Sequence, residues 1–148
     1  MYKHILLPTD GSKLSEKAVK QCIRLAKSLG AKITAVNVTP EYQMVMDEGF
    51  VMPNAAMLKK RFEEETGKRS KQLLGEVKTE ALAAGVDCDG VSITSGVPYE
   101  AIIKHAKKAK CDLIMMASHG RKGLSSILLG SETAKVLTHS TIPVLVVR

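Results

Sequence analysis

The sequence predicts a doubly wound α/β domain, a five-stranded parallel sheet with helices on both faces. Three observations predict it. Short apolar runs alternate with longer segments of helical periodicity from one end of the chain to the other. The runs are nearly continuous in their apolar character, as strands buried on both faces must be. Parallel strands also need crossovers of a dozen or more residues, and the helical segments are long enough to supply them.

The first strand is read at His4 to Pro8, closed by the turn and capping residues Thr9, Asp10, Gly11 and Ser12. Behind it Leu14, Ala18, Cys22, Leu25, Ala26 and Leu29 recur at helical spacing. Lysines and Arg24 take the other face, and Gly30 supplies the stop. Ile33 to Val38 is the second strand. From Asn54 to Ala84 a long helix is marked by Leu58, Phe62, Leu73, Val77 and Ala81, weakened in its middle by Gly67.

Val91 to Thr94 reads as the third strand. Pro98 opens the third helix at the first helical position, where its missing N–H removes no bond, and Ile102, Ile103, Ala106 and Ala109 follow. Asp112 to Ser118 is the fourth strand, Ser131 to His139 a short helix and Pro143 to Val147 the fifth strand. Glu41 to Asn54, with Met44, Met46, Phe50, Val51 and Met52, fits neither period. It reads as a loop packed on the sheet end, with a lid or a methionine-rich partner surface as alternatives. Lys104, Lys107, Lys108 and Lys110 end the third helix, where cations suit the helix dipole and need no partner.

A chain of 148 residues, 45% hydrophobic and 25% charged, suits one globular domain over residues 1–148. Its longest apolar runs, Leu113 to Ala117 and Ile142 to Val147, fall far short of the ~20 residues that cross a bilayer. A soluble cytoplasmic protein without a membrane partner is expected. Cys22, Cys88 and Cys111 form neither a disulfide framework nor a zinc pattern and read as buried thiols. The net charge of +7 favours an anionic partner. Nucleic acid is disfavoured, because aromatics are 3% and the basic residues do not interleave with stacking rings.

Ligands of doubly wound sheets bind beyond the carboxyl ends of strands, where the strand order reverses. Two segments stand at such ends. One is Pro8 to Ser12; the other runs from Ala117, Ser118, His119 and Gly120 to Gly130 and Ser131. Gly130 and Ser131 open a helix, whose unpaired N–H groups and dipole make an anion site, and Arg121 and Lys122 add charge. The alternative is that these glycines only turn the chain and Ser131 only caps a helix. The pattern is neither GxxxxGK[ST] nor GxGxxG, which disfavours a P-loop enzyme or an ordinary dinucleotide enzyme.

The whole chain resembles the universal stress proteins. The resemblance is carried by the opening KHILLPTDGS, by GVPYEAII, and by ASHGRKGLSSILLGSETAKVLTHSTIPVLVV. The last block is similar to the G-x2-G-x9-G-[ST] nucleotide signature of the ATP-binding branch, except that Ala117 stands where the pattern has its first glycine. That methyl either narrows the space beside a ribose or lies harmlessly in ordinary strand.

The resemblance implies a Rossmann-like sheet of order 3-2-1-4-5 and a bound adenine nucleotide, ATP first with ADP or AMP as alternatives. It implies that Asp10 accepts bonds from ribose hydroxyls, that the main chain of Val38 meets the adenine edge, and that Pro8 shapes the pocket wall. Ala117 would lie near the sugar, with Gly120, Gly130 and Ser131 around the phosphates. Thr9, His119, Arg121, Glu132 and Thr133 complete the implied site. Mg²⁺ or Mn²⁺ would ride on the phosphates, since the chain offers no carboxylate cluster of its own.

Left on a sheet edge, Val144 to Val147 would be open to pairing, and the resemblance implies a homodimer through it. His119 invites a general-base reading, but no acid partner is near it in sequence, and neither HExxH nor GxSxG occurs. A nucleotide-dependent switch in stress response with little or no hydrolysis is the leading expectation. A nucleotide-free dimeric interaction protein and a slow ATPase, phosphoryl- or nucleotidyl-transferase are the alternatives.

Overall fold

The computed structural model describes residues 1–44, 53–121 and 128–148. Strands and helices alternate as β1 (His4–Pro8), α1 (Lys13–Leu29), β2 (Lys32–Thr39), α2 (Ala55–Ala83), β3 (Cys88–Thr94), α3 (Pro98–Lys108), β4 (Leu113–Ala117), α4 (Ser131–His139) and β5 (Val144–Val147). Every strand pairing is parallel, and the order across the sheet is β3-β2-β1-β4-β5, as the resemblance implied.

Strand parity sorts the core into two layers. Ile5, Leu7, Ile33, Ala35, Leu113 and Met115 point to one face, where Ala18, Cys22 and Ala26 of α1 and Leu74, Val77 and Ala81 of α2 cover them. Leu6, Val36, Ile114 and Met116 point to the other, under Ile102, Ile103 and Ala106 of α3 and Val136 of α4. A run of consecutive apolar residues is therefore what each central strand requires, because both of its faces are buried.

Helix ends obey the capping residues. Ser12 accepts from the Ser15 N–H at 3.2 Å at the start of α1, and Gly30, at φ +64°, closes it in the left-handed conformation. Helix α2 runs unbroken through Gly67, whose cost of about 1 kcal/mol relative to alanine is not enough to interrupt 29 residues. Strand β3 begins at Cys88, three residues before the apolar run that marks it in the sequence. Ile33, Thr34 and Ala35 of β2 pair with Cys88, Asp89 and Gly90 there, and a side chain at Gly90 would crowd Leu74 of α2 at 3.0 Å. Pairing and close packing extend the strand where residue preference does not.

All three cysteines are buried. Burial, with Cys88 nearby, pushes the Cys22 thiol up to about 12, and burial with Asp112 pushes Cys111 up to about 11, so neither is a reactive thiolate at neutral pH. Of the stretch from Glu41 to Asn54, residues 45–52, with Met46, Phe50, Val51 and Met52, lie outside the described residues. Before them Tyr42 packs on Phe62 of α2, with ring centroids 5.4 Å apart.

His4 sits in β1 with Nε2 2.7 Å from Thr34 Oγ1. Burial pushes its imidazole below the ordinary value, and Lys32 adds to the effect; His105 is lowered by burial and Lys108. A depressed folded value means that the unfolded chain takes the proton first. Stability is then lost as pH falls through the unfolded histidine value near ~6.5. The thermal midpoint is expected to fall between about pH 7.5 and 5.5, with a shallower fall in His4→Gln. Equal slopes in the two proteins would clear His4 of the effect.

Candidate functional site

Strand β1 lies at the centre of the sheet, and its carboxyl end is where the connections diverge, toward β2 on one side and β4 on the other. Past the half-buried Pro8, Thr9 is held by several bonds. Its N–H donates to Val36 O at 2.9 Å, its hydroxyl and that of Ser15 are hydrogen-bonded at 2.6 Å, and its carbonyl accepts from Asn37 Nδ2 at 2.8 Å. The Asp10 N–H donates to Ser15 Oγ at 3.2 Å. The chain entering α1 is thus fixed before Asp10 presents its carboxylate.

That carboxylate joins two loops. Oδ1 accepts from the Ser12 N–H at 2.9 Å within its own turn, and Oδ2 accepts from the Arg121 N–H at 3.0 Å in the loop after β4. Gly11, at φ +77°, passes beneath the Arg121 guanidinium, which would lie 3.1 Å from a side chain placed there. A side chain at Gly120 would run into Asp10 Oδ2 itself. Both close approaches need glycine.

The β4 side closes on itself. Ser118 is buried; its N–H donates to Val147 O at 2.8 Å and its carbonyl accepts from the Gly130 N–H at 2.6 Å. Gly130 is extended, at φ −71° and ψ 157°, so glycine is needed there for space and not for conformation. A Cβ on it would lie 3.1 Å from His119 Cα and 3.3 Å from Ser118 O. Asp10, Gly120, His119 and Gly130 therefore form a continuous rim, and α4 begins where the rim ends.

Because the Gly130 N–H is engaged, the amides left to receive an anion are those of Ser131, Glu132 and Thr133. Among the described residues no acceptor meets any of the three. The side chains of Glu132 and Thr133 point elsewhere. Glu132 accepts from the Tyr99 N–H of α3 at 2.9 Å and lies 3.5 Å from Lys135 Nζ, while the Thr133 hydroxyl donates to Ala117 O at 2.9 Å. The Ala117 side chain is packed against the core layer under α1.

His119 has Nδ1 3.2 Å from Ser118 Oγ. Val38 lies two residues past Val36, the last residue of β2 to pair with β1, and packs against the layer under α3. Lys122 lies outside the described residues. The structure thus brings Pro8, Thr9, Asp10, Ala117, His119, Gly120, Arg121, Gly130 and Ser131 to one end of the sheet. Glu132 and Thr133 stand there through their main chain, and Val38 flanks them on β2.

Sequence reasoning missed Ser15 and Asn37, which hold the loop that carries Asp10. Their only signals were a serine on the apolar face of α1 and an amide inside an apolar strand. Among the described residues no group of three or more His, Cys, Asp or Glu could hold a metal ion. A metal at this rim would therefore depend on oxygens of a ligand. What the rim offers is a carboxylate acceptor at one end and, at the other, amides that no acceptor among the described residues meets, a pair suited to a ligand that carries hydroxyls and anionic oxygens.

Comparison with known proteins identifies the family of the whole chain. The family model described as "Universal stress protein family" matches residues 1–148. The chain is 36% identical to universal stress protein MJ0531 of Methanocaldococcus jannaschii over 148 residues, covering all of this chain and 83% of that protein. It is 35% identical to universal stress protein MJ0577 of the same organism, covering all of this chain and 96% of that one. The solved structure of MJ0577 superposes with a TM-score of 0.85 at 30% identity, over 99% of this chain and 96% of the other. A universal stress protein solved in complex with cAMP superposes with a TM-score of 0.70 at 27% identity, over 99% and 97% of the two chains.

Proposed function

The chain belongs to the universal stress protein family, and from that premise we propose that it binds an adenine nucleotide, ATP first, as a switch in stress response. The observation that carries this reading is the meeting of Asp10 and Gly120. An acidic acceptor and a space kept clear of any Cβ stand at the carboxyl ends of β1 and β4, one rim away from the α4 amides that no acceptor among the described residues meets. The cAMP complex of a relative supports an adenine nucleotide as the ligand class.

In this reading Asp10 takes the ribose hydroxyls, the Val38 main chain meets the adenine edge and Pro8 and Thr9 form the wall. The amides of Ser131, Glu132 and Thr133 hold phosphate oxygens, with Arg121 adding charge. His119 and Gly130 keep the rim open beside them. The Ala117 methyl, packed in the core under α1, leaves the sugar side of the site clear. No cluster of side chains among the described residues would hold Mg²⁺ or Mn²⁺, so such an ion would depend on the phosphates and would neutralise part of their charge.

Binding without efficient hydrolysis suits these groups. His119 bonds to a serine hydroxyl rather than to a carboxylate that would orient it as a base. We place the protein in the cytoplasm; no helix among the described residues is long and apolar enough to cross a membrane. A homodimer through β5 is part of the same reading, because β5 is an edge strand with Leu145 42% exposed.

Isothermal titration with ATP, ADP and AMP, with and without Mg²⁺, tests the proposal on the wild-type protein. Saturable binding below millimolar nucleotide is expected for all three, tightest for ATP. Silence at millimolar nucleotide refutes it and favours the nucleotide-free interaction protein. Sedimentation of the same sample should show twice the chain mass; a monomer at micromolar concentration would remove the β5 dimer.

A further inference from the structure

Helix α3 presents Tyr99, Ile103 and Lys107 along one stripe at i, i+4 spacing, with Glu100 and Lys104 on the neighbouring row. Where these rows face the end of α4 at His139 they line an open depression of about 370 Å³. None of its lining residues belongs to the rim around Asp10. Its apolar lining is the Tyr99 ring and the edge of the largely buried Ile103. That ring packs on His139 with centroids 5.0 Å apart and carries Lys135 Nζ 5.5 Å above it.

The charges around this floor are not balanced. The Glu100 carboxylate accepts from the Tyr99 hydroxyl at 3.1 Å and sets one negative charge against the two positive charges of Lys104 and Lys107, while Glu132 is engaged by the Tyr99 N–H and Lys135. Among the described residues Lys104 and Lys107 have no carboxylate within ion-pair distance. The dipole of α3 accounts for cations in its last turn, but it does not account for the open apolar floor they flank. The depression is at the small end of ligand cavities and is not enclosed, so it suits one side chain of a longer strip better than a buried small molecule.

We propose that this groove docks an acidic peptide segment of a partner protein, with one large apolar side chain on Tyr99 and Ile103 and flanking carboxylates on Lys104 and Lys107. The attraction is of the helix-stripe kind, in which an apolar anchor supplies affinity and the surrounding charges supply orientation and salt dependence.

The test uses the full chain and a short fluorescein-labelled peptide of glutamates with a central phenylalanine, read by fluorescence anisotropy. The peptide is expected to bind, more weakly as salt rises, and its lysine and alanine-centred counterparts are expected not to. Lys104→Glu combined with Lys107→Glu should weaken binding about tenfold or more, two attractive pairs having become repulsive. Both lysines are exposed, so the fold should be kept, the thermal midpoint falling only by the small cost of an anion in the last turn of α3. Amide shifts of the wild-type protein should move along α3 and at His139. The proposal fails if the wild type ignores the peptide, if charge reversal leaves affinity unchanged, or if the shifts fall on the Asp10 rim. It also fails if the groove takes vesicles of anionic phospholipid in place of the peptide, or a second copy of the chain.

Discussion

Gly120→Ala is expected to weaken nucleotide binding as much as Asp10→Ala does, by about 30-fold, and the double variant is expected to be no weaker than either single one. The reason is the identity of Gly120's neighbour. A Cβ at that position meets Asp10 Oδ2, the far end of a short side chain, so the carboxylate turns away, giving up its bond from the Arg121 N–H, and the glycine backbone stays. Losing a charge-assisted bond of this kind costs about 1.5–3 kcal/mol, which is on the order of 10- to 100-fold in affinity. Once alanine has displaced the carboxylate, deleting it removes nothing further, so the two changes fail to add. Titration of ATP, ADP and AMP into the four proteins measures the cycle. The loss should be the same for all three nucleotides, because the ribose is common to them. Additive losses would show that Gly120 acts through something other than Asp10.

The legibility of this molecule in its sequence follows from how its parts are made. The central strands could be placed from the sequence because both faces of β1 and β4 are buried, which demands unbroken apolar runs such as Ile5 to Leu7 and Leu113 to Met116. Helix ends were legible where a residue type satisfies an end, as Ser12, Gly30 and Pro98 do. Strand β3 is longer than its apolar run because Asp89 and Gly90, which have no strand preference of their own, are held by β2 and α2.

The geometry of the candidate site was legible in part for the same reason. A glycine kept for space and an aspartate before a capping serine leave a trace in the spacing of residue types. The bonds of Ser15 and Asn37 to Thr9 join residues 6 and 28 positions apart, and no local pattern marks them. The destinations of the Glu132 and Thr133 side chains were likewise invisible, because an acidic or hydroxyl residue in a first helical turn suits an anion site and a packing contact equally.

Gly130→Val is expected to have the larger effect, about 100-fold or more on ATP, because the neighbours there cannot turn aside. His119 Cα and Ser118 O are backbone, 3.1 and 3.3 Å from the position a Cβ would take. A branched side chain forces the Gly130 N–H away from Ser118 O and shifts the first turn of α4, whose amides are the proposed phosphate site. Overpacking of this kind costs roughly 1–3 kcal/mol of stability. The thermal midpoint should fall while the circular dichroism of the folded protein is kept at room temperature. The signature that separates this defect from the one at Gly120 is its dependence on phosphate number. If the α4 amides hold the phosphates, the loss should be greatest for ATP, smaller for ADP and least for AMP. An equal loss for the three would put the damage at the nucleoside end and refute the assignment of those amides.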